Sequence, residues 1–262
     1  MCQIERVRYR KCPLVEVTYQ LNFPTILSID ADTPVEFQNK IRKAFPQYQL
    51  QTEQENEITV NINGDDINPM FRHRLGRKLH QFISEDGMWK ITLAKNQLAI
   101  STLNYEQWED MIDRFDQPLK AFSEVYDQSY FERVGLRYID AIKRSELGLE
   151  NVEWKELIKP HLLGCLGFSQ GEVENVNSNS LRAEIVIDGI SVRVSSGLGV
   201  INNNNNESDN AFILDCDYYC VDKVNIDQIS KVAEFLHQKS TDFFRKSITE
   251  KLHKAMEPQE LK

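Results

Sequence analysis

No apolar run in these 262 residues approaches the roughly 18 needed for a membrane-spanning helix. The stretch Met1-Cys2-Gln3-Ile4-Glu5-Arg6 has no apolar signal-peptide core. Together these absences predict a cytoplasmic protein with no membrane attachment. Cysteine is scarce: Cys2, Cys12, Cys165, Cys216 and Cys220 make an odd count, with no Cys-x-x-Cys pair. Free, buried thiols are expected rather than a disulfide or a zinc site. The histidines, His73, His80, His161, His237 and His253, include no i, i+4 pair, which argues against a zinc enzyme of the usual helical type. A Gly-x-Ser-x-Gly elbow, a phosphate-binding loop and a dinucleotide fingerprint are all missing, and Gly197-Leu198-Gly199 is too short to count. No cofactor is implied. Positive charge is in deficit, with 31 Lys and Arg against 40 Asp and Glu and a net charge of −9. A field of that sign opposes nonspecific nucleic-acid binding, which phosphate neutralisation drives, but leaves room for a local basic groove.

What is present is alternation. In Leu14–Phe23, Val15, Val17, Tyr19, Leu21 and Phe23 fall on one face, and Glu16, Thr18, Gln20 and Asn22 on the other. That is the period of a half-buried strand. Before it, residues 1–13 read as an irregular basic arm. After it, Thr33-Pro34 opens a helix with Thr33 as cap and Phe37, Ile41 and Phe45 as its buried stripe. A polar strand follows over 48–62, then a turn at Asn63-Gly64-Asp65-Asp66. Leu79–Ile83 reads as a strand, and Glu85-Asp86-Gly87 and Lys95-Asn96 mark hairpins around two more. A long helix is expected from Asn104, with Gln107 completing a capping box and a kink or break at Pro118.

The pattern then restarts. Val134 follows Val17 by 134 − 17 = 117, and Val152 and Ile158 follow Val35 and Ile41 by the same 117. Asp188-Gly189 repeats the earlier hairpin signal, and Asn225 with Gln228 repeats the capping box before a final helix. A solvated asparagine-rich loop over 202–210 interrupts the second copy. The expected fold is α+β: an internally duplicated β-α-β4-α unit forming a curved, mainly antiparallel sheet backed by long helices on one face. An arm (1–13), a first half (14–128) and a second half (129–262) are expected to make one compact domain. At fold level this resembles the duplicated saddle of the TATA-box-binding protein and helix-grip folds, an analogy that supplies no function.

Several motifs carry a family resemblance. They are Pro13-Leu14-Val15-Glu16-Val17 with Gln20-Leu21 and Phe23-Pro24, Ser84-Glu85-Asp86-Gly87 with Trp89 and Thr92-Leu93, Leu98–Thr102, Tyr105 with Trp108-Glu109, and Arg133 with Gly135–Ile139. Together they resemble the "sporadically distributed" family of bacterial conserved hypothetical proteins over most of the chain, most strongly before residue 140. The resemblance implies no assigned enzymatic activity, so no catalytic residue is carried over. It also implies scattered occurrence of the kind found in mobile or phage-defence loci. The asparagine tract departs from the family pattern.

Three sets of residues are candidates for function. The polar strand faces present Glu16, Thr18 and Gln20 in one half and Arg133 and Arg137 in the other. Arginine there suits carboxylate or phosphate recognition, and a pairing of Glu16 with Arg133 or Arg137 is the structural alternative. The basic run Arg72, His73, Arg74, Arg77, Lys78 and His80, flanked by Phe71 and Phe82, suits a phosphate-bearing ligand or an acidic surface, or else a solvated strand edge. Asp215 and Asp217 share a strand face and are weak candidates for a metal or for acid–base work. Of Tyr218 and Tyr219, one is expected in the core and one on the concave surface. The leading expectation is a non-catalytic binding protein with a protein partner in a bacterial assembly. A nucleic-acid-binding protein ranks second, and an enzyme acting on phosphate esters or nucleotides third.

Overall fold

The computed structural model describes residues 7–63, 66–168, 176, 178–202 and 208–260, with only the backbone for 54–63, 66–75, 202, 208 and 260. The strands are β1 (Val7–Tyr9), β2 (Leu14–Asn22), β3 (Gln47–Asn63), β4 (Asp66–Ile83), β5 (Trp89–Ala94), β6 (Gln97–Thr102), β7 (Tyr130–Phe131), β8 (Arg133–Lys143), β9 (Ser180–Ile187), β10 (Ile190–Asn202), β11 (Ser208–Cys220), β12 (Val224–Asn225) and β13 (Pro258–Glu260). The helices are α1 (Leu27–Ala31), α2 (Val35–Ile41), α3 (Trp108–Tyr126), α4 (Arg144–Leu147), α5 (Ile229–Ser247) and α6 (Glu250–Ala255).

Among the described residues, nine strands form one antiparallel sheet in the order β3-β4-β5-β6-β2-β8-β11-β10-β9. Its centre is the β2–β8 pair, where Tyr19 lies opposite Leu136. The alternation expected of β2 holds from residue 17 onward, with Val17, Tyr19, Leu21 and Phe23 all buried. Val15 breaks it. The ladder shifts register between Leu14 and Glu16, so Val15 sits on a bulge and is 41% exposed while Leu14 packs on the core. A bulge adds one unpaired residue and redirects its side chain.

The inward residues of the central strands meet the long helices through rings. Tyr19 packs on Trp108 and Phe115 of α3, with centroids 6.0 and 5.1 Å apart, and Phe23 on Phe122 at 4.6 Å. Tyr218 meets Phe243 of α5 at 6.1 Å. Phe37 and Ile41 of α2, and Phe45 just beyond its end, are buried as their spacing predicts, although Pro34 rather than Thr33 occupies the cap.

Four expectations need correction. Helix α3 starts at Trp108, and Asn104 caps nothing; its N–H donates to the Thr102 hydroxyl at 3.0 Å. Pro118 does not break α3, which runs through it with the proline buried. The segment around Val152 forms a 3-10 turn, Trp154–Glu156, and not a copy of α2, although Trp154, Leu157 and Ile158 are buried. The basic arm is ordered from β1 onward and pairs with β13 near the C-terminus. Its charges are matched locally: Arg8 with Glu106 at 3.1 Å, and Arg10 and Lys11 with Glu257 at 2.5 and 3.2 Å.

The turn chemistry was legible. Asp188 and Gly189, with φ of 50° and 87°, make the two-residue turn between β9 and β10, where both positions need positive φ. The capping box at Asn225 and Gln228 is present ahead of α5. Of the asparagine tract, residues 203–207 lie outside the described residues. Among the described residues, no helix is long and apolar enough to cross a membrane.

Candidate functional site

The outward face of the second half gathers charge. On β8 every second residue from Arg133 points away from the helices, bringing Arg133, Gly135 and Arg137 into line beside Asp215, Asp217 and Tyr219 of β11. Arg137 donates from Nε and Nη2 to the two oxygens of Asp215 at 2.7 and 2.6 Å. Arg133 donates from Nη2 to both oxygens of Asp217 at 2.7 and 2.8 Å. The Arg133 guanidinium also lies over the Tyr219 ring at 4.6 Å, and Arg193 of β10 lies over the same ring at 4.9 Å. Arg193 pairs with Glu184 of β9 at 3.2 Å, and the Tyr219 hydroxyl donates to that carboxylate.

Gly135 makes the reach of Arg133 possible. A Cβ there would fall inside contact distance of the Arg133 guanidinium, which crosses the strand directly above it. Glycine in a strand often marks such a close approach.

A shallow hollow of about 460 Å³ opens on this face between Arg137, Arg182, Glu184, Arg193, Asp215 and Asp217. Three cations and three anions line it. Thr18 and Gln20 of β2 border a smaller hollow shared with Arg137 and Asp217. The sheet thus brings Thr18, Gln20, Arg137 and Asp217 together as neighbours. Glu16 is not the partner of Arg133 or Arg137; it accepts from the Thr18 hydroxyl at 3.4 Å, and β11 supplies both arginines' carboxylates. Asp215 and Asp217 are each occupied by a guanidinium, and among the described residues no group of three or more His, Cys, Asp or Glu is placed to hold a metal. Tyr218 is the core tyrosine, 2% exposed, and Tyr219 lies on the outer face.

The basic run is dispersed. Arg77 is clamped by Glu53 through Nε and Nη2 at 2.7 and 3.1 Å. Lys78 donates to the Asp30 carbonyl at 2.6 Å. His80 is 2% exposed. Its Nε2–H donates to the Ile29 carbonyl at 3.0 Å, since a carbonyl can only accept, and this leaves Nδ1 to accept from the Tyr48 hydroxyl at 2.9 Å. Burial holds its pKa below the ordinary histidine value. It is a neutral core histidine and adds no positive charge. The side chains of Arg72, His73 and Arg74 lie outside the described residues.

The opposite face of the same strands carries a feature that no sequence motif marks. Between β8, β11, α5 and the arm lies a chamber of about 140 Å³. Asp140 projects into it from the inward series Val134, Leu136, Tyr138, Asp140, Ile142. Its cross-strand neighbours are Leu14 on β2 and Leu214 on β11. The residue is 5% exposed, and burial raises its pKa from 3.8 to about 8. The Tyr138 hydroxyl and His237 Nδ1 hydrogen-bond at 2.9 Å, and His237 stacks on Trp108 at 4.8 Å. Tyr9 hydrogen-bonds His253 at 2.8 Å, and burial pushes its phenol up to about 12. The sequence did hold a signal: in the alternating register set by Val134, an aspartate falls on the apolar face.

Cys216 is buried and lines the chamber, whereas Cys12 and Cys165 are exposed, correcting the expectation of uniformly buried thiols. No family model matches the chain, and no curated protein matches it.

Proposed function

We propose that this chain is a non-catalytic binding protein that engages a protein partner through the charged outer face of β8, β11, β10 and β9. One observation carries this reading. The arginines at its centre, Arg133 and Arg137, each already hold both oxygens of a carboxylate, so the face is mainly a mosaic of paired charge rather than a positive groove. A mosaic complements another protein's mixed surface, where electrostatic pattern sets register and excludes wrong partners. A polyphosphate chain needs unneutralised cations, since counterion release drives its binding.

The proposed architecture is a duplicated unit with helices backing one face. Its support lies in the ladders. Thr102 pairs with Val17 and Cys220 with Val134, so the returning strands are offset by 220 − 102 = 118 where the first strands are offset by 117. In each half the last strand returns beside the first, and a 19-residue helix follows. The copies differ, since three described strands follow β8 where four follow β2. On this reading the charge is an addition to one copy only, which makes the binding face asymmetric. The family resemblance adds a bacterial, defence-type or mobile-locus assembly as the setting.

A charge swap tests the binding face. Exchanging the exposed pair as Glu184→Arg with Arg193→Glu keeps net charge and the local ion pair while inverting the pattern. Affinity capture from producing cells is expected to recover a partner with the parent chain and lose it with the swap. Recovery of the same partner by both proteins, or of none by the parent, refutes the reading. Oligonucleotide binding that weakens steeply with added salt would favour a nucleic-acid role instead.

A further inference from the structure

Asp140 stands on the apolar side of β8 with a leucine beside it on each neighbouring strand, Leu14 and Leu214. Among the described residues, no donor hydrogen-bonds its carboxylate. The two guanidiniums in the chamber wall are committed elsewhere, Arg8 to Glu106 and Arg245 to Glu250. The carboxylate therefore faces an open space in which no described residue supplies a counter-charge. The rest of the wall is mixed, with polar groups such as Ser240 and Thr241, and it includes the rings of Tyr9, Tyr105, Tyr138 and Phe244.

We propose that this chamber binds a small organic amine, with its ammonium group on the Asp140 carboxylate and its apolar body against these rings. A carboxylate only accepts hydrogen bonds, and an ammonium brings both donors and the missing charge. Aromatic ring faces attract a cation as well as the hydrocarbon attached to it. A cavity of this size holds a ring of about six carbon atoms. A neutral alcohol offers one donor and no charge. A carboxylate ligand is repelled. The site lies on the opposite side of β8 from the proposed protein-binding face and stands or falls separately.

Isothermal calorimetry on the full chain at pH 8.5, where the Asp140 carboxyl is mostly ionised and the amine still cationic, with benzylamine, benzyl alcohol and benzoate provides the test. The three probes share one ring and differ in charge. Benzylamine is expected to bind at least about tenfold more tightly than benzyl alcohol, with benzoate weakest. Asp140→Asn is expected to bring the amine and the alcohol within about twofold of each other, because the charge-assisted bond is gone. Circular dichroism checks the fold of that variant; should it fail, the three-probe series on the parent chain decides alone. Equal affinities on the parent, benzoate as the tightest ligand, no heat with any probe, or an amine preference that survives Asp140→Asn each overturn the proposal.

Discussion

Replacing Asp140 by asparagine should change the pH dependence of stability in a calculable way. The folded carboxyl titrates near 8 and the unfolded one near 3.8. At pH 7 the folded group is still mostly protonated, so folding takes up a proton. The cost is about 1.4 kcal/mol per pH unit above the unfolded value, or about 4 kcal/mol at pH 7. The sign follows from the raised value: the stability is fully present below pH 3.8, drains away as pH rises, and is lost by about pH 8. Asparagine does not titrate. Its buried amide brings a desolvation cost of about 1–3 kcal/mol, but that cost is the same at every pH. The slope therefore tests the reasoning, not the intercept. Urea unfolding of both proteins at pH 5, 6, 7 and 8 should show the variant gaining on the parent by about 1.4 kcal/mol per unit up to pH 7, and less beyond. Parallel stability curves would refute the account of Asp140 as an uncompensated buried acid.

Other perturbations probe the outer face and the core. Gly135→Ala should displace the Arg133 guanidinium and cost about 1–3 kcal/mol in urea unfolding, an effect that largely vanishes in an Arg133→Ala background because both changes break the same contact. Arg133→Ala should cost more than Arg137→Ala. The first breaks a pair whose arginine is 18% exposed and removes a stack on Tyr219, while the second breaks a pair whose arginine is 48% exposed, expected at about 1 kcal/mol or less. His80 has a lowered pKa, so its share of stability is complete above 6.5 and falls as pH drops through the folded value; the stability gap between the parent and His80→Asn should narrow from pH 7.5 to pH 5.5.

Much of the sheet could be read from alternation and turn residues. Asp188-Gly189 fixes its hairpin by local backbone chemistry, which needs no knowledge of the rest of the chain. The inward faces of β2 and β8 follow from period two. What failed was decided elsewhere in space. Val15 carries the right residue type for the core, but the bulge opposite Ile139 and Asp140 turns it outward. Pro118 was read by its missing N–H, a local loss, whereas the buried face of α3 holds the helix together across it. The basic run looked dense because sequence neighbours were counted; in space Arg77 and Lys78 turn to Glu53 and the Asp30 carbonyl, and His80 to the core. Arg133 and Arg137 were found as candidates. Their partners Asp217 and Asp215 lie about 80 residues away, and only the β8–β11 register could join them.

The two faces of β8 treat the same chemistry in opposite ways. On the outer face each carboxylate of the hollow has an arginine: Asp215 with Arg137, Asp217 with Arg133, Glu184 with Arg193. The chain solves the problem of a carboxylate on a sheet three times over. On the inner face, where the penalty is far larger, Asp140 has a leucine on either side and, among the described residues, no arginine paired with it. A leucine at 140 would complete that row and remove a cost of about 4 kcal/mol at pH 7, a large part of the 5–15 kcal/mol that holds a typical domain folded. Packing alone therefore does not account for Asp140, and neither does a missing supply of arginine, since Arg8 and Arg245 both line the chamber and each pairs with a glutamate instead, Glu106 and Glu250. Those pairings leave Asp140 as the chamber carboxyl that no described cation balances. A cation arriving from outside the chain restores the charge balance that the outer face achieves internally, and it is the floor carboxylate, not the balanced mosaic, that leaves room for one.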